Sequence, residues 1–282
     1  MSGLASLPGD ADHPNLIRRT LANLEDTFAL LVRTPRGSVS RRLPWRRNGV
    51  VIAVAVSATV FALVLVLADG PTIRAVREVP SSMLWPFFQI TRFGKSGWFL
   101  WPLGIAFLLL AAVPSRLPRQ FRLVRAMLAV RIGFLFAAIA VPGLAAAILK
   151  GMIGRARPFV GGVADPFLFH PFNFHAAYES LPSGHTTTAF SALVAIGSVW
   201  PQARPVMWIY ALLIALSRIM VLAHHPSDVF AGAVVGAAGA LIVRHYFAER
   251  RLGFSLTTDG RTRCLPGPSW RRIKAVARAL FS

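Results

Sequence analysis

The segment LPSGHTTTAF, Leu181 to Phe190, sets a proline, a serine, a glycine and a histidine directly before an apolar run. The first amides of a helix beginning there lack internal partners, and with the helix dipole they make an anion-binding end. Gly184 lets that backbone come close to an anion, and the Ser183 hydroxyl adds a donor. His185 would stand beside the anion, placed to deliver a proton. In SRIMVLAHHPSDVFAG, His224 precedes Asp228 by four residues, and Pro226 suits a first helical turn. Asp228 can accept a hydrogen bond from one ring nitrogen of His224, which frees the other as a nucleophile. His225 competes for that part, with a spacing to Asp228 one residue shorter. Arg218 lies inside the otherwise apolar VMWIYALLIALSRIMVLA. An arginine at mid-membrane costs roughly 2.5–3.5 kcal/mol, so it faces a cavity or an anion unless it snorkels to the headgroups. Lys150 and Arg157, in KGMIGRARPF, would share one face of a continuing helix, and Pro158 is expected to end or redirect it. Three cations, a glycine turn and two histidines describe a site for a phosphate undergoing chemistry.

The elements that must position these residues are membrane helices. Of 282 residues, 55% are hydrophobic and 15% charged, and the mean hydropathy is +0.55. Apolar runs of bilayer length are Gly49–Ala68, Trp98–Val113, Ile132–Leu149, Thr186–Trp200, Val206–Ala223 and Val229–Val243. The expected fold is all-α, a polytopic membrane protein of about six transmembrane helices. A basic N-terminal tail occupies 1–48, the membrane domain 49–247 and a basic C-terminal tail 248–282. Gly232, Gly236 and Gly239 in the last span are expected to let helices approach closely. Ile17, Leu21, Leu24, Phe28 and Leu31 recur at helical spacing within Pro14–Thr34. That segment reads as an amphipathic helix on the membrane surface or as a solvated basic tail, and Trp270–Leu280 repeats the pattern.

A net charge of +20 could suggest nucleic acid, but its distribution argues against that partner. Arginines crowd the N-terminal tail (Arg18, Arg19, Arg33, Arg36, Arg41, Arg42, Arg46, Arg47), the loop holding Arg116, Arg119, Arg122 and Arg125, and the C-terminal tail. With six spans these segments share one side, which the positive-inside rule makes cytoplasmic. Lys150, Arg157, Ser183, His185, Arg218, His224 and Asp228 then share the opposite, extracytoplasmic face. Cys264 is the only cysteine, so no intrachain disulfide or cysteine metal site is available. The first apolar run follows a long basic leader and reads as a signal anchor.

Lys150-x6-Arg157-Pro158, Pro182-Ser183-Gly184-His185 and Ser217-Arg218-x5-His224-x3-Asp228 together resemble the three-part signature of the type 2 phosphatidic acid phosphatase family. That family contains membrane lipid phosphatases and soluble vanadium haloperoxidases. The resemblance runs over Lys150–Asp228 with no departure at a signature position; His225 stands where many relatives carry tyrosine. It implies a phosphatase that works without metal or other cofactor. By that resemblance Lys150, Arg157 and Arg218 hold the phosphate oxygens with Ser183 and the Gly184 amide. His224 becomes phosphorylated, Asp228 orients it, and His185 protonates the leaving oxygen. Such chemistry rests on positioning and charge stabilisation.

The implied partner is a membrane lipid phosphate: undecaprenyl diphosphate, phosphatidylglycerol phosphate, phosphatidic acid or a lipid A phosphate. Arginine-heavy, lysine-poor usage points to a GC-rich bacterium, hence to its inner membrane and envelope lipids. A lipid-to-lipid phosphotransferase would use the same residues. A transporter is opposed by the gathering of charge at one face, and a haloperoxidase by the spans. Arg92 and Lys95, beside an aromatic cluster, are candidates for headgroup contact. Phe167, Phe169, Phe172 and Phe174 form either a lipid-facing lid or a membrane anchor. Oligomeric state is not legible in the sequence.

Overall fold

The computed structural model describes residues 16–35, 47–113, 118–257 and 260–281. Its helices are α1 (Leu16–Val32), α2 (Arg47–Leu67), α3 (Asp69–Arg77), α4 (Ser81–Arg92), α5 (Gly97–Ala112), α6 (Arg119–Ile153), α7 (Gly184–Val199), α8 (Arg204–Met220) and α9 (Pro226–Glu249). A small antiparallel hairpin, β1 (Phe254–Leu256) with β2 (Thr262–Cys264), precedes α10 (Trp270–Phe281). Arg36, Arg41, Arg42, Arg46 and Arg116, part of the charge asymmetry, lie outside the described residues.

Among the described residues, five stretches are long and apolar enough to cross a membrane: Asn48–Leu67, Ser81–Ala112, Phe121–Ile153, Pro201–Met220 and Pro226–Glu249. The expected fourth span is α7, whose 16 residues rise only about 24 Å. It runs through the middle of the bundle against α6, α8 and α9, with Thr186, Thr187, Ala189, Ser191 and Ala192 buried. Small and hydroxyl residues suit that place, because three helices must close around it. The lipid-facing extreme is α2, apolar on every side and almost wholly uncovered by protein.

The seam between α7 and α9 is set by glycines. A Cβ on Gly232 would come 2.5 Å from the Ser183 carbonyl oxygen, and one on Gly236 would overlap the Thr187 carbonyl. Gly239 faces Pro142 of α6, where a Cβ would lie 2.7 Å from the ring. Towards the other end, Phe134 packs between Phe247 and Phe254, with ring centroids 5.4 and 4.6 Å away. The hairpin is therefore part of the core.

Both ends of the described chain fold back onto that end. Asn23 of α1 donates to the Ala111 carbonyl at 2.7 Å and accepts from Arg125 at 2.8 Å. Arg33 donates to the Arg250 carbonyl. Leu30 and Leu31 pack on the core, while Ile17, Leu21 and Phe28 stay exposed. So α1 is neither a free tail nor separate from the bundle.

The expected continuity from Lys150 to Arg157 is not met. Gly154 adopts φ of 62° and caps α6 through its N–H to the Lys150 carbonyl at 2.9 Å. A Cβ there would overlap the His170 carbonyl. The chain stops being helical four residues before Pro158 and runs extended, with the Arg157 N–H donating to the Ala177 carbonyl at 2.8 Å. The segment between the first two expected spans, which carries Arg92 and Lys95, is helical over Ser81–Arg92, and α4 packs on α8. The Tyr210 hydroxyl donates to the Phe93 carbonyl at 2.9 Å, which fixes the turn after α4.

Candidate active site

The ends of α6, α7, α8 and α9 that carry Lys150, Gly184, Arg218 and Asp228 meet at one end of the bundle, opposite α1 and the hairpin. Lys150 closes α6, and its Nζ stands over the start of α7, 3.6 Å from where a Gly184 Cβ would be. Gly184 thus leaves a gap beneath the ammonium group. Ser183 precedes the helix, fully buried; its N–H donates to the Asp228 carbonyl at 2.9 Å and its hydroxyl accepts from Thr186 at 3.1 Å.

Arg218 is 7% exposed in the last turn of α8 and donates to the Thr91 hydroxyl of α4. The buried Nε groups of Arg157 and Arg218 have no hydrogen-bond partner among the described residues. Nor does any carboxylate among those residues lie within ion-pair distance of Lys150, Arg157 or Arg218. Buried donors and unopposed cations need an acceptor. A phosphate over the α7 N-terminus would supply one.

After α8 the chain turns back, and the Ala223 and His224 amides both donate to the Arg218 carbonyl, at 3.2 and 3.3 Å. This hangs the His224 ring, 1% exposed, behind the cations. Burial, the largest influence, pushes its imidazole well below the ordinary value of 6.5; Asp228 opposes this, and Arg218, Lys150 and Arg157 add to it. The ring is therefore neutral at pH 7, with a lone pair on one nitrogen.

Asp228 does not touch His224 directly: Nδ1 and Oδ2 are 3.9 Å apart. Ser180 stands against both, donating to Oδ2 at 2.6 Å and lying 3.4 Å from Nδ1. Its hydroxyl can pass orientation from carboxylate to ring. The His225 ring is nearer Asp228, with Nδ1 3.3 Å from Oδ2, while its backbone N–H donates to the same oxygen at 2.8 Å. Its Nε2 is buried without a partner among the described residues.

His185 opens α7, half-buried, within electrostatic reach of Arg218, Lys150, Lys95 and Arg157. Gly94 presses against it: a Cβ there would be 2.7 Å from His185 Cδ2 and 2.9 Å from Ile214. Arg92 and Lys95 line a groove of about 730 Å³ with Gly97, Trp98, Trp101 and Pro102. Phe167, Phe172 and Phe174 are exposed, and Phe174 lies over Gly151, beside Lys150. Among the described residues no three His, Cys, Asp or Glu side chains form a metal-holding group.

Several residues beside these were missed by sequence reasoning. Arg155 is wholly buried and bonded to Asp228 at 2.6 Å and Asp69 at 2.7 Å. The Arg-x-Arg spacing before Pro158 is its only trace in the sequence. Asp69 had a fainter one, as an acid directly after an uncharged span. Ser180 and Gly94 had none, since only the fold brings them to the site.

Residues 131–252 match the model of the PAP2 superfamily, a stretch that holds every motif above. The chain is 34% identical over 231 residues to a lipid A 1-phosphatase of Rhizobium johnstonii, covering 79% of this chain and 93% of that protein. It is also 34% identical over 200 residues to a lipid A 1-phosphatase of Rhizobium etli, covering 71% and 85%. Among solved structures, Aquifex aeolicus LpxE aligns with a TM-score of 0.44 at 22% identity, over 62% of this chain and 93% of that one. A transmembrane PAP2 type phosphatidylglycerolphosphate phosphatase from Bacillus subtilis aligns with a TM-score of 0.44 at 17% identity, over 81% and 95%. Identical to relatives at a third of the aligned residues along most of their length, this multi-pass membrane chain belongs to the PAP2 superfamily and is a phosphatase.

Proposed function

We propose that this protein removes a phosphate from a membrane lipid at the extracytoplasmic face, through a phosphohistidine on His224. The observation that carries the reading is the group of three cations without a carboxylate partner, gathered over a helix N-terminus in front of a neutral, buried imidazole. Lys150, Arg157 and Arg218 draw in the phosphate oxygens, with Ser183 and the Gly184 amide. Because Nδ1 of His224 faces Ser180 and Asp228, Nε2 attacks phosphorus. Burial first, and then Arg218 and Lys150, lower the His185 pKa to about 3. The negative charge of a bound phosphate offsets those cations, so the ring takes up a proton there. As the bond between phosphorus and the lipid oxygen breaks, His185 gives that oxygen its proton. Water then attacks the phosphohistidine, returning a proton to His185 and releasing inorganic phosphate. The cations stabilise charge that spreads over the phosphoryl oxygens in both steps.

The lipid we favour is lipid A carrying a 1-phosphate. The relatives' names support it, as does the groove beside His185, where Arg92 and Lys95 can meet a second anionic group and Trp98 and Trp101 a sugar face. Purified protein assayed with chelator against lipid A 1-phosphate, phosphatidic acid, phosphatidylglycerol phosphate and undecaprenyl diphosphate tests this. Lipid A is expected to release inorganic phosphate fastest, and Arg92→Ala with Lys95→Ala to erode that preference while sparing 4-nitrophenyl phosphate. Equal losses on lipid and soluble ester would remove the groove from substrate selection. Transfer of the phosphate to a second lipid, without free phosphate, would make the protein a phosphotransferase.

A further inference from the structure

The catalytic carboxylate is held from behind by a residue that directly follows the first span. Asp69 opens α3 directly after α2, far outside residues 131–252 that match the family. It is fully buried, as are Arg155, Ser227 and Asp228. The contacts leave no spare valence. Arg155 Nη1 donates to Asp228 Oδ1 at 2.6 Å and to the Ser227 hydroxyl at 2.7 Å. Its Nη2 donates to Asp69 Oδ2 at 2.7 Å and to the Pro166 carbonyl at 2.8 Å, and Nε donates to that carbonyl at 3.1 Å. All the N–H groups of the guanidinium are thereby used. Asp69 also accepts from the Ser227 amide at 2.8 Å and the Ser227 hydroxyl at 2.5 Å, one residue before Asp228.

One guanidinium is therefore shared by two carboxylates. We propose that Asp69 is a positioning residue for the nucleophile: by sharing Arg155 with Asp228 and clamping Ser227, it keeps the Asp228 carboxylate aimed at Ser180 and His224. The inference rests on the His224 reading above. Without the Asp69 charge, Arg155 pairs with Asp228 alone, and in a buried site that attraction is strong. The carboxylate is then drawn towards Arg155 on its Oδ1 side, away from the Oδ2 contacts that orient the ring. Phosphate binding is untouched, because Lys150, Arg157 and Arg218 are separate from this network. The change falls on the chemical step.

The test uses full-length protein in detergent, with lipid A labelled at its 1-phosphate as the probe. Wild type, Asp69→Asn and Ser227→Ala are compared in steady state and by rapid base quench at saturation. Asparagine keeps the shape and the contact to the Ser227 amide but loses the charge. Partners standing behind a metal-bound histidine typically cost about 10- to 100-fold in activity when removed, and a loss of that order in kcat is expected for Asp69→Asn, with KM within about two-fold of wild type. Ser227→Ala, missing one hydroxyl, should show the same split more weakly. The rate constant for phosphoenzyme formation reports only molecules that fold, so a purely structural role leaves it unchanged. An unchanged rate constant in Asp69→Asn, or a loss carried by KM, overturns the proposal. Should thermal melts show Asp69→Asn to be unfolded, Ser227→Ala decides by the same criterion. His224→Ala is run beside them, and label that persists there fails the nucleophile assignment separately from the Asp69 comparison.

Discussion

His224 is caught between burial and charge. Burial holds its ring neutral, Asp228 behind Ser180 would favour a proton on it, and Arg218, Lys150 and Arg157 disfavour one. The unfolded chain has no such constraint and takes a proton near the ordinary value of 6.5. With more protons bound in the unfolded state, stability must fall as the pH drops below about 6.5, by at most about 1.4 kcal/mol per pH unit from this group. Thermal melts at pH 7.5 and 5 should show that fall, and His224→Gln should show less of it; an equal fall would assign the effect elsewhere. The two histidines also separate by leaving group. His224→Ala should lose about four orders of magnitude or more on every substrate, as removal of a nucleophile does. His185→Ala should lose about 10²–10⁴-fold on a lipid alkoxide, which needs its proton, and far less on 4-nitrophenyl phosphate. Labelled phosphate found on His225 would show that the ring nearer Asp228 is the nucleophile.

At the scale of elements, two glycines on the facing helices α7 and α9 have opposite parts to play. Gly236 is where α9 touches α7 backbone to backbone, and a side chain there would overlap the Thr187 carbonyl. Gly236→Val should destabilise the fold by about 1–3 kcal/mol, as overpacking generally does. Gly184 borders the site instead: a Cβ would make ordinary contact with Lys150 Nζ at 3.6 Å. Gly184→Ala should keep its melting temperature and lose phosphatase activity, because the methyl group fills the gap where the α7 amides meet phosphate. Melting curves and kcat/KM for the pair check the contrast. A Gly184→Ala protein of full activity would move the phosphate away from the α7 N-terminus.

Among the described residues, the site lies at one end and α1, the hairpin and the basic residues they carry at the other. We infer that the second end is cytoplasmic, from the basic residues gathered there. Cys264, half-buried on β2, is then inside. In a Cys264→Ser background, single cysteines in the 159–180 loop should react with a membrane-impermeant thiol reagent in intact cells. Cysteines in the C-terminal segment should react only after lysis. Tail labelling without loop labelling would invert the topology.

The sequence by itself determined the long apolar helices and the motifs, because apolar run length, glycine spacing and out-of-place charges are local properties. Lys150, Arg157, His185, Arg218, His224 and Asp228 stand out in the sequence as candidates, since each is a titratable group beside or within an apolar run. How they touch was not. The four-residue spacing predicts a direct bond from His224 to Asp228, yet the fold sets Ser180 against both groups. The approach of Lys150 to Arg157 was expected along one helix, whereas Gly154 ends that helix and the loop returns Arg157. Asp69 and Arg155, separated by 86 positions, meet only because α3 and the loop after α6 both lie against the start of α9. Buried charge must find its partner wherever the packing offers one. That choice belongs to the tertiary structure, and no spacing along the chain records it.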